Sequence, residues 1–204
     1  MARRAKFTEG DILDVASVLA AANGPGGATM AAIAHELGAP NGSLYHRFAS
    51  RDELLGRLWL RKAAYFQDAF AAAFSEPEPR RAAREAALSL PRCARADLAG
   101  ARIMLLHRRE DFIGGGWPAG MQEEAARLGR QVEQLLASAT MRLFGRSTAA
   151  SRLRTAFILL DLPMAAVRRH VARNRVPPPE IDALIVTAID AILAEAGDPA
   201  EGPR

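Results

Sequence analysis

The chain has 204 residues and a formal charge of +4, enough length for one large or two small domains and a mildly basic balance that permits a nucleic-acid partner without requiring one. Half the residues are hydrophobic but only 6% are aromatic, which favours packed helices over a β-sandwich. Cys93 is the single cysteine, so an internal disulfide and a cysteine zinc cluster are excluded; the start through Lys6 has no apolar run behind it, and none elsewhere approaches the ~20 residues of a membrane span, so a cytoplasmic protein with no membrane partner is expected.

Thr8 opens the first helix, with Asp11 completing a capping box in place of the usual Glu. Ile12, Val15, Ala16 and Leu19 then recur at helical spacing, and Asn23-Gly-Pro-Gly-Gly27 ends the run. Thr29 caps a second helix, Ala32, Ile33 and Leu37 form its inner stripe, and Gly38 sits where a left-handed C-terminal residue belongs. Pro40 blocks a continuous helix. A third runs from about Asn41 to Arg47, anchored by Leu44 and Phe48. Ser50 and Glu53 form a second capping box, and a long fourth helix reaches about Phe74. Its apolar face carries Leu54, Leu55, Leu58, Trp59, Phe66 and Phe70.

Glu76-Pro-Glu-Pro79 breaks the pattern. Five further helices follow, at about 80–95, 97–110, 118–144, 148–173 and 178–196. Pro91 is expected to bend or split the first of these and Pro163 to kink the fourth. Gly114 to Pro118 reads as a loop, and the tail after Gly197 as frayed. The expectation is an all-α fold of about nine helices.

The stretch from Thr29 to Leu55 has the layout of a helix-turn-helix, and its third helix is polar where a core helix would be apolar. Residues 7–55 resemble the DNA-binding head of the TetR family of bacterial transcriptional regulators. The resemblance is carried by Thr29, Ile33, Ala34, Leu37 and Gly38, by Gly42-Ser43-Leu44-Tyr45-His46 with Phe48, and by Ser50, Glu53 and Leu54. Two positions depart from it. Pro40 stands where the family often has Ser or Thr, and Arg51 where it usually has lysine.

The resemblance implies an N-terminal three-helix DNA-binding domain, 1–52, linked by the fourth helix to a helical ligand-binding and dimerisation domain, 53–204. It implies phosphate contacts from Tyr45, His46 and Arg51. The residues themselves point the same way. Asn41 and Ser43, with Gly42 between them, lie early on the third helix, where side chains reach major-groove edges; asparagine can pair with adenine at two points. Thr29 and the N–H groups beside it suit a phosphate. Pro40 borders the same surface. Arg3, Arg4 and Lys6 form a basic arm. Residues 1–60 hold as many acids as bases, so binding depends on where the charges sit.

The resemblance also implies a homodimer on a palindromic operator, formed through the last two helices, and a pocket for a small-molecule effector. The stripes Leu153, Phe157, Leu160, Met164, Val167 and Ile181, Leu184, Ile185, Ile189, Ile192 suit association, although such stripes also pack inside a protomer. Candidate effector contacts are Phe66, Phe70, Met104, His107, Phe112, Trp117, Met121, Phe157 and Asp161, and a lipophilic effector follows. Asp161, an acid in an apolar stripe, needs a partner: Arg102, Arg154, backbone or a ligand amine. No cofactor or metal is implied.

Enzyme readings find little. His35-Glu36 begins a zinc-protease motif, but Ala39 stands where the second histidine belongs. The reading is a DNA-binding transcriptional regulator, a repressor released from its operator by a small-molecule effector, and not an enzyme; the alternative is a helical ligand-binding or interaction protein that does not bind DNA.

Overall fold

The computed structural model of the chain describes residues 7–112 and 116–195. Among them every regular element is helical. The nine helices are α1 (Glu9–Asn23), α2 (Met30–Leu37), α3 (Gly42–Tyr45), α4 (Arg51–Ala72), α5 (Pro79–Ala96), α6 (Leu98–Leu106), α7 (Ala119–Phe144), α8 (149–172) and α9 (Glu180–Glu195). The expected loop residues Gly114 and Gly115 and the tail after Gly197 lie outside the described residues. The all-helical fold expected from composition and periodicity is the fold found.

The chain forms two compact units. One comprises the chain through Ala63 together with Ala99–Ala125, the other Ala64–Leu98 and the chain from Ala126.

In the first unit α1 starts on the expected capping box. The Thr8 hydroxyl accepts from the Asp11 N–H at 3.1 Å, and the Asp11 carboxylate accepts from the Thr8 N–H at 2.7 Å. Gly24 ends α1 at φ 72°, and Gly38 ends α2 in the left-handed region at φ 58°, a conformation that is costly for residues with a Cβ. Ile12, Ala16, Ile33, Leu44, Phe48, Leu54 and Leu58 converge in one core. Ile103 and Phe112, far along the chain, complete it. The Ser50 hydroxyl caps the Glu53 N–H at 3.1 Å, while the Glu53 carboxylate accepts from Ala49 rather than from Ser50.

Trp117 packs against Trp59 with ring centroids 5.5 Å apart. Its indole N–H is buried and has no hydrogen-bond partner. Gly56 makes this packing possible: a Cβ there would lie 2.3 Å from the Met121 methyl and 2.9 Å from the Trp117 ring nitrogen.

In the second unit α5 is the central helix. Its alanine face, with Ala83, Ala86 and Ala87, lets α8 and α9 approach closely. Arg84 reaches Asp190 at 2.7 Å and Arg95 holds Asp182 through two bonds of 3.1 and 2.7 Å, so α5 and α9 run antiparallel. The interruption expected at Pro91 is absent. The helix is continuous from Pro79 to Ala96 with Pro91 buried inside it. The packed faces on both sides of the proline outweigh the one missing N–H. The disturbance expected at Pro163 takes another form: a π-turn, Phe157–Asp161, immediately precedes it, and the Leu162 N–H reaches back five residues to Phe157. Arg142 closes the end of the α4 segment by donating to the carbonyls of Phe74, Glu76 and Pro77 at 3.3, 2.6 and 3.0 Å.

The apolar stripes of α8 and α9 divide in two. Val167, Ile181, Ile185 and Ile189, four of the candidate dimer residues, are buried, the three isoleucines in this unit's own core, so they offer little surface to a second copy. The outward face carries Leu153, Phe157, Met164 and Leu184, with Leu160 and Ile192 half-buried beside it.

Gly56→Ala is expected to destabilise the protein by about 1–3 kcal/mol, because the Trp117 ring cannot yield as a flexible side chain would. Thermal unfolding of the variant checks this; an unchanged midpoint would show that the ring and the Met121 methyl move aside freely.

Candidate nucleic-acid interface

α3 is four residues long, too short to be stable alone. Leu44, 1% exposed, and Phe48, 2%, pin it to the core of the first unit. That anchoring turns Asn41, Gly42, Tyr45 and His46 outward, and all four are exposed. Tyr45 is 52% exposed. Asn41 makes no capping hydrogen bond with its side chain, so its amide is open to an incoming partner. Ser43 is half-buried, and its hydroxyl donates to the Pro40 carbonyl at 2.7 Å. The Ser43 hydroxyl retains lone pairs for an outside donor. Pro40 itself is exposed.

Thr29 is exposed at the N-terminus of α2, where its hydroxyl accepts from the Ala32 N–H at 3.1 Å. Arg51 is placed less freely than its charge suggests. It is half-buried; its Nε donates to the Ala28 carbonyl at 3.1 Å and its Nη2 to the Pro25 carbonyl. It ties the start of α4 to the turn between α1 and α2, and only its remaining N–H groups can face a phosphate. Arg3, Arg4 and Lys6 lie outside the described residues.

Two further arginines hold the unit together, and neither was legible as a strut. Arg61 reaches Asp14 at 2.8 Å and the Gly10 carbonyl at 3.2 Å. Arg102 donates to the Ala21 carbonyl at 2.8 Å. Only the folded chain brings these partners together. Asp11 is held below the usual carboxylate range, first by the Thr8 N–H and then by the Thr8 hydroxyl, with Arg47 adding a smaller attraction. A lowered folded-state pKa means that this cap is fully present above the ordinary aspartate range and is lost only as the pH falls through the lowered value.

A short helix thus displays polar side chains on a rigid base, the arrangement by which a helix-turn-helix presents side chains to base edges. Residues 12–58 match the family model described as bacterial regulatory proteins, tetR family. Those residues form a DNA-binding head of the tetR family type, and the protein is a DNA-binding regulator.

Solved structures extend the likeness in fold to nearly the whole chain. A TetR-like transcriptional regulator from Rhodococcus sp. RHA1 is 19% identical, with a TM-score of 0.68, over 96% of this chain and 97% of that one. The ketosteroid transcriptional regulator KstR2 of Mycobacterium tuberculosis is 17% identical, with a TM-score of 0.67, over 95% and 98%. The transcriptional regulator FadR from Bacillus subtilis, in complex with stearoyl-CoA, is 12% identical, with a TM-score of 0.63, over 94% and 99%. No curated protein matches the sequence.

The nine candidate effector contacts divide between the two units. Met104, His107, Phe112, Trp117 and Met121 belong to the first unit, and Phe66, Phe70, Phe157 and Asp161 to the second. Phe112, Trp117, Met121 and Phe70 are buried packing residues. Met104, His107 and Phe66 are half-buried. Phe157 and Asp161 lie on the outward face of α8, so Asp161 is a solvated acid and not an interior one. The second unit also has a groove of about 380 Å³, floored by Ala69, Ala72 and Ala73 and walled by Ser89, Arg92 and Cys93; none of the nine lines it. Burial pushes the Cys93 thiol up, which makes it a poor nucleophile. No group of His, Cys, Asp and Glu suited to a metal occurs among the described residues, and no described helix is long and apolar enough to cross a membrane.

Arg51→Ala is expected to lower stability by about 1–2 kcal/mol without any DNA present, because two carbonyls lose their donor. Tyr45→Phe should leave stability unchanged. Thermal unfolding of both variants decides it; equal midpoints for Arg51→Ala and the wild type would reduce Arg51 to a surface charge.

Proposed function

We propose that this regulator is a cytoplasmic repressor that binds a palindromic operator as a homodimer and leaves it when a small lipophilic effector binds. The observation that carries the DNA half of the reading is the outward, unengaged set of Asn41, Tyr45 and His46 on an anchored α3. In this reading 1–52 is the DNA-binding domain, α4 the link, and 53–204 the part that dimerises and responds to ligand. Tyr45, His46, Thr29 and the free N–H groups of Arg51 contact phosphates, with Arg4 and Lys6 extending the contact. Asn41 and Ser43 read bases, with Gly42 and Pro40 allowing close approach.

Among the described residues a single head has few unengaged cations, so in this reading two heads are needed for useful affinity. A two-fold dimer sets them about 34–36 Å apart, one turn of DNA. Leu153, Phe157, Met164 and Leu184, all exposed, supply the apolar surface for that dimer. A lipophilic effector fits what the related structures are named for, a ketosteroid regulator and a regulator solved with stearoyl-CoA. The half-buried Met104, His107 and Phe66 can give surface to a ligand more readily than the fully packed members of the candidate set. Release requires that the effector bind one arrangement of the heads better than the other.

Selection from a random duplex pool at low salt, followed by gel shift, tests the reading. A palindromic site should be enriched. Tyr45→Phe should weaken binding to every sequence by about 1 kcal/mol, and Asn41→Ala should change the preferred bases. A folded dimer that enriches no site and shifts no DNA would overturn the regulator reading in favour of a ligand-binding protein.

A further inference from the structure

The outward face of α8 is an apolar strip from Leu153, 69% exposed, through Phe157, 44%, to Met164, 37%. An acid and a base are set into it. Asp161 and Arg154 are both exposed, and neither side chain has a hydrogen bond or ion pair among the described residues. If a second copy covers this strip, Asp161 is sealed into an apolar interface, where an unpaired carboxylate is strongly unfavourable.

The cation it needs can be found by elimination. α9 supplies none: Glu180–Glu195 contains no Lys, Arg or His, and its Asp182 and Asp190 already pair with Arg95 and Arg84. Arg152 is turned to Ser147, donating to its carbonyl at 3.0 Å. Arg169 is turned to His170, its Nε donating to the imidazole Nε2 at 3.0 Å, so Arg154 and Arg168 remain on α8. In an antiparallel two-fold pairing of α8 with its own copy, residues equally far above and below the axis meet. The apolar strip is centred between positions 158 and 159. Arg154 and Asp161 are centred between 157 and 158, within about 1.5 Å of rise of the same point. For Arg168 and Asp161 the centre lies about 9 Å further along the helix.

We propose that Asp161 of each protomer pairs with Arg154 of the partner subunit across a two-fold axis near Phe157, and that this reciprocal pair selects the copy that α8 accepts. The pair is formed twice in each homodimer. It leaves two sealed charges unpaired against any similar bundle that lacks the matching arginine and acid, so it rejects unlike partners as well as holding the right one. The inference rests on the homodimer proposed above.

The test uses the full chain and two charge variants, D161R and R154D, both at exposed positions. Each alone places like charges against each other and is expected to dimerise at least about tenfold more weakly than the wild type in sedimentation equilibrium. Mixed in equal amounts, with one variant carrying a mass tag, the two should form heterodimer well beyond the statistical half in native mass spectrometry. Circular dichroism verifies that each is folded. Wild-type-like dimers from either variant, or a statistical mixture, would overturn the pairing while leaving the homodimer intact. A wild type that is monomeric at micromolar concentration would overturn the homodimer and the pairing together.

Discussion

A helix of four residues cannot hold its own shape or direction, and the proposed DNA-binding surface is built on such a helix. α3 gains its orientation entirely from the burial of Leu44 and Phe48 in a core supplied by α1, α2 and α4. Each of these anchors removes enough apolar surface from water to contribute about 1.5–3 kcal/mol. They also fix which side chains are left outside. Asn41, Tyr45 and His46 are outward because Leu44 and Phe48 are inward. The division between scaffold and reading surface is therefore one decision of the fold, made at two apolar positions.

The charges of the head are arranged by a related constraint. The segment is neutral in composition, and several of its arginines are engaged with the protein itself. Arg51 satisfies carbonyls in the α1–α2 turn, and Arg61 joins α4 to α1 through Asp14 and Gly10. Arginine suits this role because its planar fork can donate in two directions at once. The same feature explains why arginine at position 51 differs from lysine in more than length: a point-like ammonium cannot bridge Ala28 and Pro25 in the same way. Among the described residues of the head, the cations left without such a task are few.

Local signals made most of the fold legible. The Thr8–Asp11 box, the Thr29 cap, the left-handed Gly38 and the break at Glu76–Pro79 each operate within a few residues, and each appears where the chain signals it. What could not be read depends on distant partners. The inward turn of Ile181, Ile185 and Ile189 is fixed by α5, about 90 residues earlier, and periodicity alone cannot say whether an apolar stripe faces its own core or another copy. Arg102 and Ala21, or Phe112 and the head core, are equally distant in sequence. Pro91 does not split its helix for the same reason: its local cost is real, but the packing that outweighs it comes from other helices. In the candidate site, the exposed α3 residues were readable because the nearby pattern fixes them. No such local pattern marks the effector set, since aromatic and methionine side chains at helical spacing look alike whether they line a space or fill it.

The Trp59–Trp117 contact has a spectroscopic consequence. These are the only tryptophans in the chain, and both lie in the first compact unit. Their emission is a built-in optical label for that unit, with one ring buried and tightly packed against the other. The second unit, which carries only Tyr65 and phenylalanines as its aromatic chromophores, is dark at tryptophan-selective excitation. Light absorbed by this protein above the tyrosine band therefore reports on one half of the molecule, with no engineered probe required.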